Sequence, residues 1–231
     1  MNRSMGKRLL KAARWGLVLV MPLLITSAVI AFAVNFQPLY EYGFDRYDVG
    51  ATTGLDDAEL SKAARGLIGY FNSGDELIDV TVIKDGQSFT LFNEREVIHL
   101  YDVKGLIQLD YGVLAVSFIY TALVAGITLY RREPKRLAAP LFWGGVFTLA
   151  LVIVRAAMAI ADFNAFFTQF HLLSFANDFW LLNPRTDYLI MMFPGGFWRD
   201  AMIFVDVIIL SVTITLTVIG WRNLTIDRKS S

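Results

Sequence analysis

Apolar residues gather in four long runs: Trp15 to Val34, Tyr111 to Tyr130, Ala138 to Ala161 and Ala201 to Trp221. Each meets the roughly 20 apolar residues that a bilayer-spanning helix needs. Runs one, two and four carry almost no charge. Arg155 stands inside the third run and Asp206 inside the fourth. Trp15, Tyr111, Tyr130, Trp198 and Trp221 stand near the predicted ends, as amphipathic rings at lipid headgroups do. The pattern predicts a mainly α membrane protein, a bundle of four transmembrane helices at 15–34, 111–130, 138–161 and 201–221. The first run also resembles a signal peptide, with a basic start, an apolar core and Ala31-Phe32-Ala33 as a cleavage-like site. Its apolar core exceeds the usual signal core of about 7–15 residues, which favours a retained anchor.

Between runs one and two the pattern changes. Segment 35–110 is too long for a linker and reads as a small α+β cap. Asp56 and Glu59 form a variant capping box that opens a helix running to about Asn72. Ala58, Ala64, Leu67, Ile68 and Phe71 supply its apolar stripe, and Asn72-Ser73-Gly74-Asp75 stops it. Leu77 to Ile83 and Gln87 to Phe92 alternate like strands, with Lys84-Asp85-Gly86 as a hairpin turn. A second helix starts near Asn93 or Glu94 and runs toward the second span. Segment 162–200 is dense in aromatic residues, from Phe163 to Trp198. That suits an interfacial layer or lipid pocket, or a core packed on the cap.

Charge orients these pieces. The segments 1–14, 131–137 and 222–231 together hold twelve basic and two acidic residues, a net +10. Segments 35–110 and 162–200 hold eight basic and eighteen acidic residues, a net −10. Basic flanks stay cytoplasmic. Both termini and the short loop are therefore expected inside, and the cap and the aromatic segment outside the cytoplasm. Hydrophobic residues make up 55% of the chain, above the 45–50% or so of soluble domains. Cysteine is absent, which excludes disulfides, thiolate metal sites and a cysteine nucleophile.

No serine elbow, phosphate loop or zinc-protease motif is present. The chain has two histidines, His99 and His171, and the charge pattern puts both on the outer side, each within about a dozen residues of a span. Imidazole titrates near neutrality and can take and return a proton. Glu96-x-x-His99 has helical spacing but the wrong order for a zinc protease, and alone reads as a helix face. Asp102, one turn after His99, is placed to orient that ring or simply to face solvent. Ser174 follows His171 by three, without the strained elbow that would support a dyad. Arg155 and Asp206 read as an ion pair joining spans three and four, or Arg155 as a group that holds an ester carbonyl or headgroup.

Glu96-Val97-Ile98-His99-Leu100-Tyr101-Asp102-Val103-Lys104 resembles the Glu-x-x-His-x-x-Asp-Val-Lys stretch of the bacterial lipoprotein intramolecular transacylases. The run from His171 to Pro194 resembles that family's second block, with Phe175, Asn177, Asp178, Trp180, Pro184-Arg185-Thr186-Asp187 and Phe193-Pro194. The resemblance implies an acyltransferase that moves the sn-2 acyl chain of a diacylglyceryl lipoprotein onto its N-terminal cysteine amine. It implies His99 and His171 as catalytic residues; Glu96, Asp102, Asn177, Trp180 and Asp187 of the matching blocks, and Arg155 by its place inside the third run, are the supporting candidates. The expected partners are the lipoprotein substrate and membrane lipid, with no nucleic acid, no cofactor and no metal. Two other classes stay open: a non-catalytic membrane scaffold or lipid-binding protein, and a metal-dependent membrane hydrolase.

Overall fold

The computed structural model describes residues 3–229; residues 1–2 and 230–231, at the far ends of the expected cytoplasmic N-terminus and tail, lie outside the described residues. The chain is mainly helical. Its elements are α1 (Arg3–Val34), α2 (Gln37–Arg46), α3 (Val49–Thr53), α4 (Asp57–Phe71), β1 (Thr81–Lys84), β2 (Gln87–Thr90) and α5 (Glu94–Tyr130). A 3₁₀ turn at Pro134–Leu137 leads to α6 (Ala138–Ala161), α7 (Phe163–Ser174), α8 (Tyr188–Met192) and α9 (Gly195–Lys229). Among the described residues, four helices (α1, α5, α6 and α9) are long and apolar enough to cross a membrane. They contain the four apolar runs of the sequence.

α5 is longer than a span requires. Its 37 residues extend ~55 Å at 1.5 Å per residue, against ~30 Å of hydrocarbon. Its charged residues Glu94, Arg95, Glu96, Asp102, Lys104 and Asp110 all precede Tyr111. The uncharged stretch is 111–130, and the charged stretch 94–110 continues the same helix. The chain divides into two compact units within this helix.

The first unit gathers the described parts of 1–30, 110–158 and 205–231. Met21, Ile25, Val29, Val152 and Ile209 form its buried core, drawn from α1, α6 and α9. Lipid offers no hydrophobic drive for helix association, so close packing at small residues matters. Gly144 faces Met21, Gly145 faces Thr217, and a Cβ on Gly220 would meet the Phe142 backbone nitrogen at 2.6 Å. Arg155 and Asp206 pair within this unit, as the ion-pair reading expects. Arg14 is buried; it donates to Thr128 Oγ1 at 3.0 Å and pairs with Glu133.

The second unit comprises residues 31–109 and 159–204. In α4 the Asp56 carboxylate accepts from the Glu59 backbone N–H at 2.9 Å. Only half of the expected box forms, because the Glu59 carboxylate turns to accept from Ile83 N at 3.0 Å on β1. The buried stripe is Leu60, Ala63, Ala64, Leu67, Tyr70 and Phe71. Ala58 is exposed and Ile68 half-buried, a correction to the expected stripe. Gly66 lets Val80 approach the helix.

The hairpin is shorter than its alternation suggests. Lys84 pairs with Gln87, so the loop is Asp85-Gly86 alone. Their φ values of 52° and 77° give the type I′ turn that matches strand twist. The paired strands end at Thr90; Leu91 N still donates to Val80 O at 2.8 Å, and buried Leu91 and Phe92 then lead into α5. The short helices α2, α3, α7 and α8 lie in stretches where no helix is expected from the apolar pattern. Phe193 and Phe197 hold α2 through Tyr40 and Phe44, with ring separations from 5.7 to 6.4 Å. The aromatic segment thus divides: Phe175, Phe193 and Phe197 are core, while Phe170 and Trp198 stay exposed.

Candidate functional site

His99 lies in the second turn of α5 and His171 in the last turn of α7, both in the second unit. Each helix start has a polar cause. Asp162 caps α7 by accepting from Ala165 N at 3.0 Å. α5 opens on a reciprocal capping box: Asn93 N donates to Glu96 Oε2 at 2.7 Å, and Glu96 N donates to Asn93 Oδ1 at 3.1 Å. The second oxygen of Glu96 accepts from Leu189 N at 2.6 Å, at the start of α8. Glu96 is fully buried. Burial holds its carboxyl above the usual range, while the Leu189 and Asn93 N–H groups pull it back down.

The two imidazoles meet. Their ring centroids are 6.0 Å apart and their planes 30° from parallel. Both side chains are buried, and the walls around them are aromatic. Phe175 lies 5.1 Å from His99 and 5.5 Å from His171. Phe167 stands edge-on to His171 at 4.4 Å, Phe170 at 5.4 Å, and Trp180 lies against it at 4.8 Å. His171 Nδ1 lies 2.8 Å from the Phe167 carbonyl. A carbonyl only accepts, so the neutral ring keeps its proton on Nδ1 and its lone pair on Nε2. His99 Nδ1 is buried with no hydrogen-bond partner among the described residues.

The other expected residues divide into two groups. Asp102 accepts from Asn177 Nδ2 at 2.8 Å, tying α5 to the loop after α7. Asp187 accepts from Asn93 Nδ2 at 3.1 Å, from Thr186 Oγ1 at 2.9 Å and from Asn183 N at 2.7 Å. Glu96, Asp102, Asn177, Trp180 and Asp187 therefore all frame the segment that carries the rings. Arg155 sits in the first unit, paired with Asp206. Asn93 and Phe167 are contributors that sequence reasoning missed. Asn93-x-x-Glu96 is itself a capping signature, and Phe167 sits at the i−4 position of His171. Among the described residues, no group of three His, Cys, Asp or Glu is placed to hold a metal ion.

Burial penalises the charged ring in both cases. His99 is pushed down to about 4 by burial, helped by the neighbouring His171 and opposed by Asp102. His171 is also lowered by burial, against the Phe167 carbonyl, which favours the protonated ring. An unfolded imidazole titrates near 6.5. The unfolded chain therefore binds more protons between the folded values and about 6.5, and stability falls as pH drops through that window. With two histidines in the chain, ¹⁵N-imidazole spectra contain two ring signatures. His99 is expected to protonate near pH 4 and His171 below the free imidazole value. Ring midpoints at about 6.5 or above would contradict the buried pair.

The family model described as lipoprotein intramolecular transacylase Lit matches residues 15–198. A protein of Aquifex aeolicus (strain VF5) described as uncharacterized is 28% identical over 185 residues, covering 79% of this chain and 80% of its own length. The fold is similar to the in meso structure of the membrane integral lipoprotein intramolecular transacylase Lit from Bacillus cereus. That likeness has a TM-score of 0.79 at 20% identity and covers 99% of this chain and 100% of the other. A variant of the Bacillus protein with a histidine replaced by alanine gives 0.75 at 18% identity, over 99% and 100% of the two chains. With the family model matched over most of its length, the chain belongs to the lipoprotein intramolecular transacylase Lit family, and it is a membrane-embedded acyltransferase.

Proposed function

We propose that this protein moves the sn-2 acyl chain of a diacylglyceryl-modified lipoprotein onto the free amine of its N-terminal cysteine, with His99 and His171 handling the protons. The observation that carries this reading is the convergence of the two imidazoles, 6.0 Å apart, inside an aromatic wall. The charge pattern puts both termini in the cytoplasm and both ring-bearing segments on the outer face of a bacterial cell membrane. Segments 35–110 and 162–200 then form the extracytoplasmic cap.

The chemistry needs no nucleophile from the protein. The substrate amine, with a pKa near 7.7–8.0, attacks the sn-2 ester carbonyl of the same molecule. A bond forms from nitrogen to the carbonyl carbon, and the carbonyl oxygen becomes an oxyanion. The amine proton passes to His171 Nε2, whose lone pair the Phe167 carbonyl leaves exposed by holding Nδ1–H. The bond from carbon to the glyceryl oxygen then breaks, and that oxygen takes a proton through the His99–His171 pair. The result is an amide-linked chain and a lyso-glyceryl group. Holding amine and ester together can be worth effective molarities of about 10⁵–10⁸ M. The rings of Phe167, Phe170, Phe175 and Trp180 exclude the water that would otherwise hydrolyse the ester.

The test uses the purified protein in lipid with a synthetic diacylglyceryl-cysteine lipopeptide that has different chains at sn-1 and sn-2. Total mass is expected to stay constant while the amine loses its reactivity to labels and fragment ions carry the sn-2 chain on nitrogen. Release of free fatty acid with an unblocked amine would instead make the protein a hydrolase.

A further inference from the structure

We infer that the indole N–H of Trp180 is the oxyanion donor of the acyl transfer. This rests on the acyl-transfer reading above and adds a catalytic residue to it. Three nitrogen-bearing rings converge at this place in the fold. His171 is central, with His99 at 6.0 Å and Trp180 at 4.8 Å. The polar atoms around them are otherwise spoken for. His171 Nδ1 is committed to the Phe167 carbonyl. Asn177 spends its amide nitrogen on Asp102 and its oxygen on Phe179 N. Glu96 and Asp187 accept from backbone and side-chain donors.

Two ring nitrogens are the exceptions: His99 Nδ1, which belongs to the proton-handling pair, and Trp180 Nε1. The indole nitrogen is buried and has no hydrogen-bond partner among the described residues. Buried indole N–H groups usually find an acceptor, and an orphaned buried donor costs about 1–3 kcal/mol. Indole nitrogen donates and never accepts, so the complement of this atom is an oxygen lone pair. The reaction creates one such oxygen beside His171. As the amine nitrogen bonds to the ester carbon, the carbonyl electron pair moves onto oxygen. It returns when the bond to the glyceryl oxygen breaks. A fixed, dry donor that meets its acceptor only as charge develops stabilises the transition state over the ground state. The assignment also leaves both imidazoles free for proton transfer.

The test compares the unmodified protein with two substitutions at one position. Trp180→Phe removes the N–H and part of the ring. Trp180→3-benzothienylalanine keeps the bicyclic shape and replaces N–H with sulfur. Both are expected to lower kcat by about 10²–10³-fold, as loss of one oxyanion donor does, with KM nearly unchanged. A lipopeptide carrying a thionoester at sn-2 probes the contact itself, since sulfur is a poor acceptor. It should slow the unmodified protein far more than the benzothienylalanine protein, whereas a merely structural role for the ring would slow all forms alike. Normal kcat in the benzothienylalanine protein, or equal thionoester effects, would overturn the assignment while leaving the acyl-transfer reading intact. Failure of the unmodified protein to move the chain would overturn both.

Discussion

Replacement of His171 by Ala is expected to cut transfer of the acyl chain to the cysteine amine by about 10²–10⁴-fold, the usual contribution of a positioned acid–base group. The loss follows from geometry. His171 Nε2 is the lone pair that the Phe167 carbonyl holds available, and the nearest other imidazole is His99. His99→Ala should fall by a similar factor, because the glyceryl oxygen must leave with a proton. The double replacement should cost little more than either single one, since groups that act as one unit are strongly non-additive. Residual activity would come from positioning amine and ester together. Total mass cannot report the result, because the reaction moves an acyl group within one molecule. Labelling of the free amine and fragment ions of the N-terminus do. Near-normal amine blocking by either single variant would reject histidine catalysis.

How much of this could be read from the chain depends on what each feature answers to. The spans were legible because the bilayer imposes a length and a composition on them. Arg155 and Asp206 were legible for the same reason: two charges at membrane depth must find each other, and they do. The α4 helix and the hairpin were legible from Asp56 and from Asp85-Gly86, though the stripe and the strand lengths needed correction. The short helices α2, α3, α7 and α8 were not, because the neighbours that bury them are remote in sequence. Phe193 packs on Tyr40 and Phe44, contacts that no local period announces. The histidines were legible as candidates by their rarity and by the acidic balance of the segments that carry them. Their approach to 6.0 Å depends on how α5 and α7 pack, and spacing cannot show it. Asp102 illustrates the limit of helical spacing: it is one turn from His99, yet its carboxylate receives Asn177.

Glu96 carries the second large prediction, in stability rather than chemistry. One carboxylate joins two pieces of chain, accepting from the Asn93 N–H that starts α5 and from the Leu189 N–H that starts α8, while the Glu96 backbone N–H donates to Asn93 Oδ1. Glu96→Ala removes both acceptor oxygens. The Asn93 amide is at an exposed residue and can turn to water, but Leu189 is buried. Losing a cap costs about 0.5–2 kcal/mol, and an orphaned buried N–H about 1–3 kcal/mol. A loss of about 2–4 kcal/mol is therefore expected on those two grounds, read as a lower Tm in detergent or lipid. Glu96→Gln should fall between the two, because its amide has one acceptor oxygen and a nitrogen that would face an N–H. The turnover of Glu96→Ala should drop less than that of the histidine variants, because both rings remain. Supplying lipid or substrate should recover part of it, since a ligand that binds only the folded state shifts the equilibrium toward it. An unchanged Tm in Glu96→Ala would mean that the Asn93–Glu96–Leu189 junction does not hold α8 to α5, and that the aromatic contacts with the Asn177–Asp102 and Asn93–Asp187 bonds position the ring-bearing segment without it.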